Sequence, residues 1–278
     1  MGGNNRQKHL LIGLSIVFII LLFQLFRLQL IDSSLKISAQ NNAFYYQTLY
    51  PSRGQILDRN GLVLVGNKST YDIMVSPHYV KEFDTLELCR VLNLKIEDVR
   101  ETFKGYKKYR SRIGYRSVPF LKQASQEQYS RFLEVNYKFP KFYGIPRTTR
   151  MYPFNAGGNL LGYVTEAGPE FLSKNPDYEQ GDYIGSTGLE QSCEKFLRGE
   201  KGYNIFLRDA RNTIQSSYED GEYDKPAIKG EDVTSTIDAH LQSYGEFLMQ
   251  NKVGSVVAIE PSTGEILSMI SSPGIDVS

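Results

Sequence analysis

The sequence has no tryptophan, two cysteines and three histidines among its 278 residues. Cys89 and Cys193 lie far apart and in no metal-ligand spacing. A cysteine-built zinc or iron–sulfur site is therefore excluded, and nothing in the spacing supports the single disulfide that two cysteines permit. His9, His78 and His240 are too scattered for a histidine-rich metal centre, so no metal and no cofactor is expected. An excess of charge is also missing: 32 Lys and Arg balance 31 Asp and Glu, leaving +1. No global field draws nucleic acid to such a surface. The 41% hydrophobic and 23% charged content is that of an ordinary globular chain.

One stretch departs from that average. In LLIGLSIVFIILLFQLF, Leu10 to Phe26, 14 of 17 residues are Leu, Ile, Val or Phe. On an insertion scale they contribute roughly −4 to −8 kcal/mol, which outweighs Gly13, Ser15 and Gln24. Extended to Leu30 the segment is long enough to cross a bilayer core of ~30 Å, with Arg27 snorkelling to the interface. A cleavable signal peptide has a shorter apolar region and a small-x-small site, which RLQLIDSSLK lacks. An uncleaved anchor over residues 10–30 is expected. Arg6 and Lys8 precede it without an acidic residue, which favours residues 1–9 inside and everything after Leu30 outside.

Gln29 to Tyr46 reads as a helical stalk that Pro51 ends. Gln55–Leu57 and Leu62–Val65 flank Asp58-Arg-Asn-Gly61, the turn chemistry of a hairpin, and Thr70–Val75 reads as a further strand. Asn67-Lys-Ser69 matches a glycosylation sequon, a triplet common by chance. Helices are expected over Asp84–Leu92, Ile96–Phe103 and Ser125–Val135, with strands at Pro119–Leu121 and Ile145–Pro153. The basic, tyrosine-bearing segment Lys104–Arg116 reads as a solvated face with Tyr packing inward, the alternative being a partner, glycan or headgroup surface. Asn159–Val164 continues as extended chain toward a glycine turn. In Ile184–Leu197 that turn precedes a short helix that puts Leu189, Cys193 and Leu197 on one face. Tyr203–Ile214 suggests strands and Asp220–Gly230 a polar linker. An amphipathic helix from Thr236, with Ile237, Leu241, Tyr244 and Leu248 at helical spacing, leads into a hairpin of Ser255–Ile259 and Glu265–Ile270.

Five of these stretches, in this order, carry a family resemblance. They are Arg53-Gly54-Gln-Ile-Leu-Asp58-Arg59-Asn-Gly61; Arg150-Met-Tyr152-Pro153 followed by Gly162-Tyr163; Gly185-Ser-Thr-Gly188-Leu-Glu190 with Leu197-Arg198-Gly199-Glu-Lys-Gly202; Thr236-Ile-Asp-Ala-His-Leu-Gln242; and Val257 to Leu267. Together they resemble the class B penicillin-binding proteins, the monofunctional peptidoglycan D,D-transpeptidases, and within them the elongation-type branch. Asn159 departs from the pattern, since many relatives carry His there, and the stretch between Pro153 and Gly162 is compressed. The resemblance implies an α+β fold. A transmembrane helix and a stalk (31–50) lead to an elongated β-rich pedestal, the dimerization domain, over 51–230. A helical and β head is inserted near 76–145, and 231–278 open a serine β-lactamase-like transpeptidase domain. The motif residues named above are implied to be structural.

The family's chemistry needs Ser-x-x-Lys, Ser-x-Asn and Lys-(Ser/Thr)-Gly. No Lys-Ser-Gly or Lys-Thr-Gly occurs in this sequence. Ser33–Lys36 lies beside the anchor, Ser192–Lys195 lies in the helix after Gly-Leu-Glu, and Ser173-Lys-Asn175 sits beside a turn; all three read as chance matches. No catalytic residue is therefore expected in this chain, which reads as anchor, pedestal and the opening of a truncated catalytic domain. In the whole enzyme, the resemblance implies, a serine attacks the penultimate D-alanine carbonyl of a stem peptide. Peptidoglycan and β-lactams would be met only through the missing residues. The implied partners are the membrane, a SEDS-family glycan polymerase and other elongation-complex proteins; nucleic acid is not among them. The implied location is the bacterial cytoplasmic membrane, single-pass, with the bulk outside. Two other readings stand beside this one: an active serine enzyme using Ser192 and Lys195, and a non-enzymatic anchored interaction module. Within the pedestal, Arg53 or Arg59 is expected to pair with Glu190, the planar fork of Arg matching a carboxylate. The terminal hairpin is expected to expose unpaired edges.

Overall fold

A computed structural model describes residues 3–26, 44–80, 83–114, 116–154, 156–209 and 214–275. The chain divides into two compact units, one of residues 1–47 and 204–223, the other of 48–203 and 224–278.

The first unit holds helix α1 (Gly3–Phe26), whose apolar side chains from Ile12 to Phe23 stand 52–70% exposed. Among the described residues no helix is long and apolar enough to cross a membrane; within α1 the continuously described side chains run from Ile12 to Gln24. Strand β1 (Phe44–Leu49) forms a three-stranded sheet with β8 (Gly202–Arg208) and β9 (Ile214–Ser217), β8 in the middle. Phe44–Tyr46 thus lie in a strand and not in the expected stalk helix. The run Phe-Tyr-Tyr-Gln-Thr-Leu is aromatic and β-branched, which suits a pleated surface better than a helix. The Phe44 ring stands edge-on to Tyr218 at 4.7 Å. The rest of the expected stalk, up to residue 43, lies outside the described residues, as does Ser33–Lys36.

The second unit is built on β3 (Val63–Val75). Its first residues, Val63–Val65, pair with β2 (Ile56–Leu57), and its last, Tyr71–Val75, with β4 (Val118–Ala124). It also pairs antiparallel with β5 (Phe142–Met151), from Gly66↔Met151 to Val75↔Phe142. The two strands expected at Leu62–Val65 and Thr70–Val75 are one. The polar residues Gly66–Ser69 look like a break, but β5 satisfies their backbone all along. Pro146 of β5 lacks an N–H, which an edge strand tolerates. Strand β10 (Val233–Thr234) runs parallel to β2, returning the chain to its start. Apart from this sheet, β6 (Val164–Glu166) pairs with β7 (Tyr183–Gly185).

Helices α2 (Thr85–Leu92), α3 (Ile96–Lys108), α4 (Arg110–Ile113) and α5 (Gln126–Val135) lie between β3 and β5 in sequence. Asp84 caps α2, and Ser125 with Gln128 forms a capping box on α5. Their inner faces join the far end of β3 in a core of Ile73, Val75, Leu88, Leu92, Phe132, Phe139 and Phe142. Helix α3 outruns its expected end at Phe103. Phe103 and Tyr106 pack on this core while Lys104, Lys107 and Lys108 face water, as expected for a solvated face, but Tyr109 stands 48% exposed and does not pack inward.

A second core, of Ile56, Leu64, Val65, Leu161, Leu197, Ile237 and Ala239, lies under the short helices α6 (Gly158–Leu161), α8 (Gly188–Ser192) and α9 (Glu194–Leu197), with Leu189 and Cys193 packed against it. Asn159 therefore sits in a helical turn and not in extended chain. Helix α7 (Pro169–Lys174) carries Ser173, whose hydroxyl donates to Glu170 O at 2.7 Å. The expected linker at 220–230 is tied down by bridges of Lys225 to Tyr203 and Ile228 to Glu200.

Helix α10 (Ala239–Met249), capped by Asp238, buries Ala239 and Gln242. The expected apolar stripe lies largely outside: Leu241, Tyr244 and Leu248 are 40–61% exposed, and Ile237 alone of that set is buried. Among the described residues, strands β11 (Gly254–Ile259) and β12 (Ile266–Ser272) pair only with each other. Ser268 and Ile270 of β12 are buried, while Val256, Val257 and Ile259 of β11 are about half exposed.

Phe132 is fully buried among aromatic rings. Phe132→Ala is expected to lower unfolding stability by about 3–5 kcal/mol, read by urea denaturation, through lost burial and a residual cavity.

Candidate functional site

Glycines that let backbones touch bring the motif residues together. A Cβ on Gly54 would lie 1.7 Å from Glu231 O, and one on Gly185 would lie 2.1 Å from Glu190 O. Only a bare backbone fits at either place. Gly162, Gly188, Gly199 and Gly202 meet neighbouring backbone in the same way, at 1.9–2.5 Å. Gly61 differs: it stands in open space at φ 84°, where the β2–β3 turn needs a left-handed residue.

These contacts deliver four charged side chains to one place. Arg53, just before β2, donates from Nη2 to Glu190 Oε2 at 2.8 Å and to Glu194 Oε2 at 2.7 Å. Arg150, at the end of β5, brings Nε to 2.7 Å from Glu190 Oε1, an ion pair without hydrogen-bond alignment. Its Nη1 donates to Asn67 Oδ1 at 2.8 Å, and Asn67 Nδ2 donates to Arg53 O at 2.6 Å. The Asn67 carboxamide of the sequon is thus committed on both sides. Glu194 also accepts from Gly185 N and from the Tyr178 hydroxyl. The Glu190 side chain has 0% exposure, Arg150 5% and Arg53 10%.

Burial works against the Arg53 charge, but hydrogen bonding to Glu194 and the field of Glu190 outweigh it and hold the guanidinium above its ordinary value. At Arg150 burial wins over Glu190 and leaves it below. Tyr152, whose hydroxyl donates to Gly162 O at 3.0 Å, is pushed up to about 12 by burial and then by Glu190. Pro153 turns the chain at the surface after β5, and Arg198 lies over the Tyr178 ring.

Arg59 does not reach Glu190. Its guanidinium lies 3.4 Å from Glu260 and 3.3 Å from Glu265, in the β11–β12 loop. The whole 58–61 turn docks on that part of the chain. Arg59 N donates to Ile237 O at 2.9 Å, and Asn60 Nδ2 to Asp238 Oδ2 at 3.3 Å. Asp58, fully buried, accepts from Asn60 N and Leu62 N at 2.7 Å and from Ala239 N at 3.3 Å. Burial pushes its carboxyl up, but the backbone donors of Leu62, Ala239 and Asn60 together hold it below the ordinary value.

Ser192 is exposed and its hydroxyl donates to Gly188 O at 3.0 Å, within its own helix; among the described residues it has no hydrogen bond to Lys195. Cys89 and Cys193 are both free thiols.

The penicillin-binding protein dimerisation domain matches residues 48–235. The chain is 30% identical over 271 residues to the peptidoglycan D,D-transpeptidase MrdA of Salmonella typhimurium, covering 94% of this chain and 42% of that protein. It is 32% identical over 244 residues to the MrdA of Acinetobacter baumannii, covering 86% and 35%. The complex between penicillin-binding protein PBP2 and MreC from Helicobacter pylori shares the fold, with a TM-score of 0.61 at 23% identity over 84% of this chain and 44% of that one. The chain spans about two fifths of the length of the curated relatives it matches.

Glu190→Gln leaves two buried guanidinium groups short of a charge. It is expected to cost about 3–5 kcal/mol, against less than about 1 kcal/mol for Arg59→Ala, whose ion pairs are about one-third exposed; urea denaturation of both variants checks the contrast. Asp58 has a depressed folded value, so its contribution is present above the unfolded value of about 3.9 and lost as pH falls through the folded one. The stability gap between the parent and Asp58→Asn is expected to be widest near neutral pH and to shrink below about pH 4. A gap independent of pH contradicts the assignment.

Proposed function

The chain belongs to the penicillin-binding protein family through its dimerisation domain, and on that premise we propose that it anchors and positions an elongation-type peptidoglycan D,D-transpeptidase. The reading divides the chain into an inner terminus (1–9), a membrane span (10–30), a stalk (31–50), a pedestal (51–230, head near 76–145) and the opening of the catalytic domain (231–278). The exposed apolar side chains of α1 support the span. Together with the positively charged inner end, they support a single-pass location in a bacterial cytoplasmic membrane.

One observation carries the positioning role: the 58–61 turn grips residues from Ile237 to Glu265 through backbone, carboxylate and guanidinium contacts. The Arg53–Glu190–Arg150 cluster fixes the strands behind that turn. A rigid pedestal joined this way sets where the following domain sits relative to the membrane. In that whole enzyme a serine attacks the penultimate D-alanine carbonyl of a stem peptide, expels the terminal D-alanine and passes the acyl group to an amine. We assign no residue of this sequence to that step, since it has no Lys-Ser-Gly or Lys-Thr-Gly and the Ser192 hydroxyl is turned to its own helix. By the same reading the partners are an MreC-type protein, a SEDS-family glycan polymerase and other elongation-complex members.

A fluorescent penicillin tests the assignment. The chain is expected to take no covalent label, and the catalytic motifs added from a relative are expected to restore labelling. Labelling of the chain itself, abolished by Ser192→Ala, transfers the chemistry to Ser192 and Lys195 and overturns the reading.

A further inference from the structure

Beside the ion cluster the second unit contains a cleft of about 410 Å³, within the size range of small-ligand sites. Most charges on its walls are already matched. Lys201 pairs with Asp182 at 2.5 Å, and with Glu179 at 3.8 Å; Lys225 pairs with Glu200 at 3.4 Å. Arg147 faces Asp72 at 3.2 Å, and Arg53 is held by Glu190 and Glu194. Arg198 is the exception: among the described residues no carboxylate lies within 4.0 Å of it. Its guanidinium stands over the Tyr178 ring at 5.1 Å, and the Tyr178 hydroxyl is fixed by donating to Glu194 at 3.1 Å. Arg198 also hydrogen-bonds the Tyr178 side chain, and with five N–H donors its guanidinium keeps others over for a planar acceptor.

Asp177, also lining the cleft, is exposed and has no cation within 4.0 Å among the described residues. It stands close enough to act on the Arg198 charge. Another part of the lining is aromatic: the Arg147 guanidinium lies 3.5 Å from the Tyr50 ring centroid and 5.2 Å from that of Tyr183. The cleft thus offers a guanidinium and a carboxylate that have no ion-pair partner within 4.0 Å among the described residues, beside an aromatic wall.

We propose that this cleft binds a small carboxylate-bearing ligand, its carboxylate on the Arg198 fork and its hydroxyl, amide or ammonium donors facing Asp177. Such a carboxylate occurs on an acidic amino sugar or at a peptide terminus. The site stands independently of any acyl-transfer chemistry.

Saturation-transfer NMR and calorimetry on the full chain in detergent micelles test it with two matched pairs. N-acetylmuramic acid is compared with N-acetylglucosamine, which lacks the carboxylate, and N-acetyl-D-alanine with its amide. At least one acid is expected to bind about fivefold or more tighter than its neutral counterpart, and the pair showing the preference identifies the source. Arg198→Ala is expected to erase that preference with thermal unfolding unchanged, and Arg198→Lys to retain part of it. The proposal is overturned if neither acid binds up to about 10 mM, which is weaker than any useful site. It is also overturned if acid and neutral ligands bind alike, or if Arg198→Ala keeps the preference. Should the variants melt early, the two ligand pairs on the parent chain decide alone.

Discussion

Glu190 carries its charge where no water reaches it, and an isolated carboxylate there is tolerable only when cations meet it. Arg53 arrives from just before β2 and Arg150 from the end of β5, so the carboxylate cannot be satisfied unless both strands take their places. Well-packed apolar residues in place of such a group are often as stable. We therefore attribute to the cluster the fixing of register more than net stabilisation. Its reach is long: Arg53 precedes the β2–β3 turn by a few residues, and that turn holds the beginning of α10 and the β11–β12 loop.

How much of this was legible in the sequence depends on how local the signal is. The hairpin at Asp58–Gly61 is written in adjacent residues and forms as read, and the helices expected from Asp84 and Ser125 start there, with those two residues as caps. The Arg53–Glu190 pair was legible as one of two options, because a conspicuous Arg and a conspicuous Glu need partners. The option fell on Arg53 since Arg59 lies in the turn itself, facing Glu260 and Glu265. The shares of Glu194 and Asn67 went unread. Glu194 stands four residues after Glu190, a helical spacing that could have flagged it; Asn67 was masked by its likeness to a sequon.

Tertiary choices were less visible. Periodicity announced an apolar stripe on α10, but burial follows the neighbours that are present, and these lie against Ala239 and Gln242. Strand β3 looked like two because its polar middle carries no period-2 pattern; only β5, about 75 residues away, reveals its continuity. The cleft at Arg198 is lined from Tyr50 to Lys225, a span over which no sequence pattern gathers residues.

The separation between partners has a consequence for biogenesis. Arg53 and Glu190 are 137 positions apart; at a synthesis rate of about 5–20 residues per second, the guanidinium is made roughly 7–27 s before its carboxylate exists. Throughout that interval the nascent segment has its cation but not the group that buries it. The parallel strand β10, which closes the sheet on β2, arrives later still. The ion cluster and the outer edge of β2 therefore cannot close until Glu190 and then Val233 have been made.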